Sequence, residues 1–459
     1  MGVKLDWDIE AEKGKRNEHR EDSEQRKRRY GGVFRLFLTV AIFASILGSI
    51  AYLVFQRYEQ VTQYTEQLLV DTVQAEVASL RGGDLIAFEE RQRSATDDWS
   101  SVQREVYNAY QTLKVESSVV LSGNVTNIEI DGQRARVQVE EIIDGVPFVQ
   151  TWFYWRYEDG WFHVPPDYTF WGENDSIETD NYIIRYGSVD VTTAQQIENS
   201  LERWLSDTCS LFDCSTIPLI TVDILPAPNA DVRWADNEQN AWQMVVPSPY
   251  TERARADIPF DTQLQIDTAT LLAQRIVSQA SNNTQALPTS DASYLQETTT
   301  AWLVGRFVQL NPETHFIQSL VDNYGAETVT RILQNVQATS SLSLVASVTG
   351  VATIPELQVD WRDYVLWRLN LEDSLISNND ETAWVSLYDF TDLSVRDQAY
   401  QRFTSNFVAS SRTVESATIA TSEAGLPQLV ALVNVTRGFE SGQEVVVFNL
   451  INGNWLRAN

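Results

Sequence analysis

Leu36 to Gln56, LFLTVAIFASILGSIAYLVFQ, holds no charged residue in 21 positions. At ~1.5 Å per residue, a helix of that length covers the ~30 Å of a bilayer's hydrocarbon core. The run therefore reads as a transmembrane helix at 36–56, with the lipid bilayer as the chain's first partner. The competing readings are a buried core helix and a signal peptide, but a signal peptide has a shorter apolar core, ends in a small-residue cleavage site and does not follow a 35-residue leader. Arg26, Lys27, Arg28, Arg29 and Arg35 precede the run and only Arg57 follows it closely. The positive flank predicts a cytoplasmic N-terminus, a cell-membrane location, and everything after the span outside. Gly48 and Ala51, with Ala44 and Ser45, put small residues on the helix, a weak signal for pairing.

Residues 1–35 carry ten Lys/Arg and eight Asp/Glu with no apolar periodicity, the composition of a charged, solvated cytoplasmic tail. The remainder carries 24 basic and 55 acidic residues, and Lys114 is its only lysine. So acidic a surface repels nucleic acid, which is excluded as a partner. With 43% apolar residues and 14 Trp over 459 positions, the chain is expected to form packed domains. Cys209 and Cys214 are the only cysteines. Outside the cytoplasm they are expected to form a disulfide closing a small loop, the alternative being two free thiols. Low cysteine use outside the membrane fits a bacterial cell-envelope protein.

The expected fold class is α+β, with three modules after the span. In the first, 57–172, helical spacing in VTQYTEQLLVDTVQAEVASL and WSSVQREVYNAYQTL is interrupted at Gly82-Gly83. Alternating strands follow, with turns at Asp131-Gly132, Asp144-Gly145 and Asp159-Gly160. The order of helices, then an antiparallel meander ending in WFYWRYEDGWFHVPP, resembles the nuclear transport factor 2-like α+β cone, whose members include enzymes, ligand carriers and structural domains. Trp152, Tyr154, Trp155 and Trp161 line the mouth of such a cone or pack its core. Glu173 to Asn181, ENDSIETDN, reads as a linker. The last module, 381–459, repeats the plan of helices then strands and closes on a Gly-Asn-Trp turn, as a second cone-like domain.

Between them, 182–376 opens strand, helix, strand and continues into LLAQRIVSQA, Leu271 to Ala280. A zinc-peptidase helix places His, Glu and His where this chain has Gln274, Arg275 and Ser278. Nineteen residues beyond Ser278, in YLQETTTAWLVGRF, Glu297 falls where the third zinc ligand would stand. In this order of elements the module resembles a degenerate peptidase MA-like (gluzincin) domain, the alternative being an unrelated α/β domain. The resemblance implies a former zinc site at Gln274, Arg275, Ser278 and Glu297 that has lost its metal and its catalytic residues. An Arg275–Glu297 ion pair filling the vacated volume is one expectation. An exposed arginine on the polar helix face is the other.

No H-E-x-x-H, H-x-x-E-H or C-x-x-C stands in the sequence, and its three histidines, His19, His163 and His315, are scattered. No metal or other cofactor is expected, and no catalytic residue is assigned. His163 reads as a packed or hydrogen-bonded residue, and His315 as one near the start of a helix. Phosphate loops, dinucleotide fingerprints and nucleophile elbows are absent from the sequence as well. The functional expectation is a membrane-anchored, extracytoplasmic, non-catalytic binding or scaffold protein built on a pseudo-peptidase domain, with a polypeptide or cell-surface component as partner. The alternative is an active hydrolase using carboxylates or a Ser/His pair, without zinc, in an ectodomain pocket.

Overall fold

The computed structural model describes residues 23–94, 96–212, 217–235, 242–310, 314–404, 410–438 and 440–459. The chain divides into two units, Met1–Ala75 and Glu76–Asn459. Within the first runs most of helix α1, Ser23–Gly82. From Leu36 this helix is long and apolar enough to cross a membrane, with a window of mean hydropathy 2.2. Phe37, Ile46 and Phe55 are exposed along it, which costs nothing where the solvent is lipid. Helical backbone already begins at Ser23, so the tail expected to be unfolded is helical over 23–35; residues 1–22, with His19, lie outside the described residues. Nor does the helix end with the apolar run, because the sequence past Gln56 offers no Gly or Pro before Gly82.

In the second unit, Gly83 at φ 73 ends that helix. Short α2 (Leu85–Glu89) is capped by Asp84, whose carboxylate accepts from Ala87 N, and α3 (Asp97–Glu116) follows. Strands β1 (Val119–Asp131), β2 (Arg134–Ile143), β3 (Val146–Tyr157) and β4 (Gly160–Val164) then form an antiparallel meander. Asp144 and Gly145 both take positive φ, as a two-residue hairpin turn requires.

The expected linker is instead a strand, β5 (Asn174–Glu178), paired antiparallel with β6 (Tyr182–Gly187). Ile177 packs inward while its acidic neighbours face solvent, and those charges suit an edge strand. After α4 (Val191–Cys209) come β7 (Ile220–Leu225), β8 (Arg233–Trp234) and β9 (Gln243–Pro247), giving a mixed sheet in the order β5-β6-β7-β9-β8. Cys209 is disulfide-bonded at the end of α4; Cys214 lies outside the described residues. Next, β10 (Ala254–Arg255) leaves this sheet and pairs with Val149 and Phe148 of β3, so the first sheet borrows a strand from beyond its sequence boundary.

Six helices follow: α5 (Thr262–Ala280), α6 (Asp291–Val308), α7 (His315–Tyr324), α8 (Glu327–Asn335), α9 (Ser343–Thr349) and α10 (Arg362–Ser377). Then α11 (Glu381–Val385) and α12 (Leu393–Thr404) precede a second meander, β11 (Ser411–Thr421), β12 (Pro427–Arg437), β13 (Glu440–Ile451) and β14 (Asn454–Arg457). Alternate residues of β12, Leu429, Ala431, Val433 and Val435, are buried in the same core as Trp204, Leu272 and Trp361. The segment expected as a separate last domain thus shares its core with the central one.

The first and last parts correspond at several positions. Glu76 stands eight residues before the cap Asp84, and Glu372 eight before Asp380, which caps α11 through Ala383 N. Gln92 pairs as an isolated parallel bridge with His163, and Tyr388 pairs likewise with Arg457. Trp161 and Trp455, each two residues before that bridge, are both buried. The repetition reaches back into α10, so it begins before residue 381.

Candidate functional site

Helices α5 and α6 flank a groove of about 620 Å³. Asp261 caps α5 by accepting from Leu264 N at 2.9 Å, and Leu272, Ala273 and Ile276 bury one side of the helix. That fixes the rotation of the other side. Gln274 and Ser278, four residues apart, therefore project into the groove together. From α6, Glu297 joins them, so three of the four positions singled out from the sequence converge.

The fourth does not. Arg275 is turned ~100° from Gln274, and its guanidinium lies 4.6 Å from the centroid of the Trp234 ring. Glu297 accepts instead from Ser293 Oγ at 2.6 Å and Trp367 Nε1 at 3.1 Å. The expected Arg275–Glu297 pair is not formed, and Arg275 is half-buried rather than exposed on a polar face. An aromatic face within reach holds a guanidinium without the desolvation that burying an ion pair demands.

Chemically the groove is quiet. Ser278 Oγ donates to an amide, Asn283 Oδ1, at 3.2 Å and not to a base. Thr270 and Thr300 hydroxyls donate to the carbonyls of Ile266 and Gln296 in their own helices. Gln296 Nε2 donates to Ser281 Oγ and Thr284 O. Ile266, Val277, Ala301, Val304, Val308 and Leu310 complete an apolar wall. Among the described residues of the groove, no nucleophile is held against a base.

A second constellation lies under the first sheet. Tyr154 OH donates to Glu76 Oε2 at 2.7 Å, Gln92 Nε2 donates to Glu76 Oε1 at 2.7 Å, and His163 Nδ1 lies 2.7 Å from Glu76 Oε1. Glu76, Tyr154 and His163 are all buried. Burial, with the adjacent Glu76 carboxylate, holds the Tyr154 phenol far above its ordinary range. The Trp152 and Tyr154 rings stack on His163 at 5.2 and 5.1 Å, and Trp99 meets it edge-on at 5.4 Å. Within the aromatic cluster singled out from the sequence, Trp152 and Tyr154 thus share one sheet face, Trp161 is buried and Trp155 is exposed. A cavity of about 860 Å³ opens beside them.

His163 is hydrogen-bonded as expected, but Glu76 escaped sequence reading. Its signal was a carboxylate one turn before Leu80 on a buried stripe of α1. His315 is the first residue of α7, where Asp363 accepts from Phe316 N and lies 2.9 Å from His315 Nδ1. Comparison of the chain with protein-family models, characterised proteins and solved structures found no match.

Proposed function

We propose that this chain is a membrane-anchored, extracytoplasmic binding protein whose α5–α6 groove takes an extended, largely apolar segment of polypeptide. The observation that carries this reading is the convergence of Gln274, Ser278 and Glu297 on one groove with apolar walls and no activated nucleophile. On this reading the central segment is a pseudo-peptidase of gluzincin-like descent, keeping a substrate groove after losing its zinc chemistry. Cone-like segments flank it, and the basic residues before Leu36 set the N-terminus in the cytoplasm. The Gln274 amide supplies a donor and an acceptor and the Gln296 carbonyl an acceptor suited to a peptide backbone, and the Val and Leu side chains supply apolar contact.

The test is binding of fluorescent, extended apolar peptides to the full chain in detergent micelles, read by anisotropy. Ala301, exposed in the groove, is the place to fill it. Peptides held by the wild type should be lost from Ala301→Trp, while a charged peptide of equal length is held by neither. Equal binding to both proteins, or no saturable binding to the wild type, would remove the proposal.

A further inference from the structure

Helix α1 does not end where its apolar run ends. At ~1.5 Å per residue, Val61 stands about 7.5 Å and Tyr64 about 12 Å past Gln56, the last residue of that run. A headgroup layer is only ~5–8 Å thick on each side of the hydrocarbon, so with the run in a bilayer these two residues lie at or beyond its outer limit. Yet Tyr58, Val61 and Tyr64 are 71%, 62% and 64% exposed, and burial along the helix begins only at Thr65. They share one side of the helix at steps of three residues, and Glu59, Gln60 and Gln63 take the opposite side. A stripe of large apolar side chains thus stands uncovered in water.

The stripe continues into the apolar run. Leu47, Ala51, Val54, Tyr58 and Val61 follow one another at alternating steps of four and three residues, and the same steps lead back to Phe37. That 3.5-residue period is the seam of two helices wound left-handedly around each other. Every residue from Leu36 to Tyr64 is exposed, so nothing within the chain covers the seam.

We infer that a second copy of this chain covers it, the two α1 helices running parallel and in register from Leu47 to Val61. A bilayer inserts every copy in one direction and at one height, which sets Tyr58 beside Tyr58 and Val61 beside Val61. Charge agrees with the pairing. The chain carries a net charge of −29, but the residues flanking the seam outside the run are Arg57 and Thr62, which bring a guanidinium against a hydroxyl, and Glu59 points away. Two acidic chains meet here without acid against acid. Area agrees as well: at ~150–250 Å² per aromatic side chain, Tyr58 and Tyr64 of both copies remove on the order of 500 Å² from water. A stable interface takes about 1,200 Å² or more, and the span supplies the rest, with Ala44 and Ala51 on the seam letting the backbones approach. The inference rests on α1 crossing a membrane and is independent of the role proposed for the α5–α6 groove.

The test places one added cysteine at a time in the full chain, reconstituted in phosphatidylcholine vesicles, oxidised with copper phenanthroline and read as crosslinked dimer on non-reducing gels. The unaltered chain, whose Cys209 is already disulfide-bonded, is the blank. Tyr58→Cys and Val61→Cys on the seam should crosslink about tenfold more than Gln60→Cys and Gln63→Cys on the far side, with a yield that holds as lipid is added. All four side chains are exposed, so the fold is not at stake in these variants. Added to Tyr58→Cys, Val61→Glu should remove most of the crosslink and Gln63→Glu none of it. Retention in the membrane after alkaline carbonate reads the anchor separately. Equal yields at the four positions, no crosslink at any, or a yield that falls in proportion to added lipid would overturn the pairing while the anchor stands, leaving the headgroup layer as the cover of the stripe. Release of the unaltered chain by carbonate would overturn it by removing the membrane that aligns the copies.

Discussion

Replacing Glu372 by glutamine changes almost no volume and removes one buried charge. The carboxylate is 0% exposed and meets Arg457 NH1, Arg402 NH1 and Tyr388 OH, whose phenol is pushed up by burial and by Glu372 itself. Removing one partner of a buried ion pair costs about 3–5 kcal/mol, because the remaining cation has lost water and gained nothing in return. At ~1.4 kcal/mol per decade that is a factor of about 10² to 10³·⁵ in local opening. The reporters are the amides beside the cluster: Arg457 N donates to Leu387 O, and Asp389 N donates to Arg457 O, both at 2.9 Å. Hydrogen exchange of peptides covering these residues should accelerate by that factor in Glu372→Gln. The control is Glu444→Gln, which removes the same charge from an exposed pair with Arg437 on the same sheet and should cost no more than ~1 kcal/mol. Exchange in Glu372→Gln within tenfold of the wild type, or equal effects of the two substitutions, would refute the reasoning.

Other substitutions probe the remaining joints. Buried Asp190 accepts from Trp171 Nε1 at 2.6 Å and from Ser248 Oγ, and burial raises its pKa from 3.8 to about 6. The folded state thus holds a proton that the unfolded state releases near 3.8. The residue's stabilising contribution is complete below that pH and is lost as pH rises through about 6. Asp190→Asn, which cannot ionise, should gain roughly 3 kcal/mol on the wild type between pH 4 and 7 in urea unfolding; a flat difference would contradict the assignment. Leu272→Ala, at 0% exposure, should cost about 2–5 kcal/mol, whereas Gln274→Ala on the groove side stays within ~0.5 kcal/mol; comparable losses would mean that α5 is rotated from the orientation described. Gly172→Ala should destabilise by more than the ~1–3 kcal/mol of its backbone strain at φ 133, since the added Cβ would lie 2.8 Å from Ser188 N. A thermal midpoint equal to the wild type's would show that this joint is loose after all.

Local chemistry was the legible part of the fold. The apolar run, the Gly83 stop and the Asp-Gly turns each act within a few residues, and sequence reading placed them near where they stand. Gln274, Ser278 and Glu297 were grouped through the resemblance to a zinc-peptidase helix and its third ligand, and they do line one groove. What stayed hidden depends on partners far away in sequence. Arg275 turns to Trp234, and an acidic run that looks like a tether becomes β5 because β6 offers it a ladder. Glu76 lies in a stretch whose spacing shows only that it is helical, and its three hydrogen-bond partners lie 16 to 87 residues away. The shared plan of Glu76 and Glu372 was invisible for the same reason, since the eight-residue step from acid to cap is kept while the distant partners change from histidine to arginine.

The two-residue strand Ala254–Arg255 has a consequence for the order of events at the ribosome. The sheet it completes begins at Val119, so the first four strands must wait for about 100 further residues before their last edge is paired. At ~5–20 residues per second that is a delay of about 5–20 s, during which the lower edge of β3 is open to other strands. Stalled chains ending after residue 200 should therefore be digested within the sheet, and chains with residue 270 clear of the tunnel should resist. Equal resistance at both lengths would mean that the meander closes unaided. Otherwise the growing chain spends its first seconds with an unfinished edge, dependent on whatever chaperone meets it there.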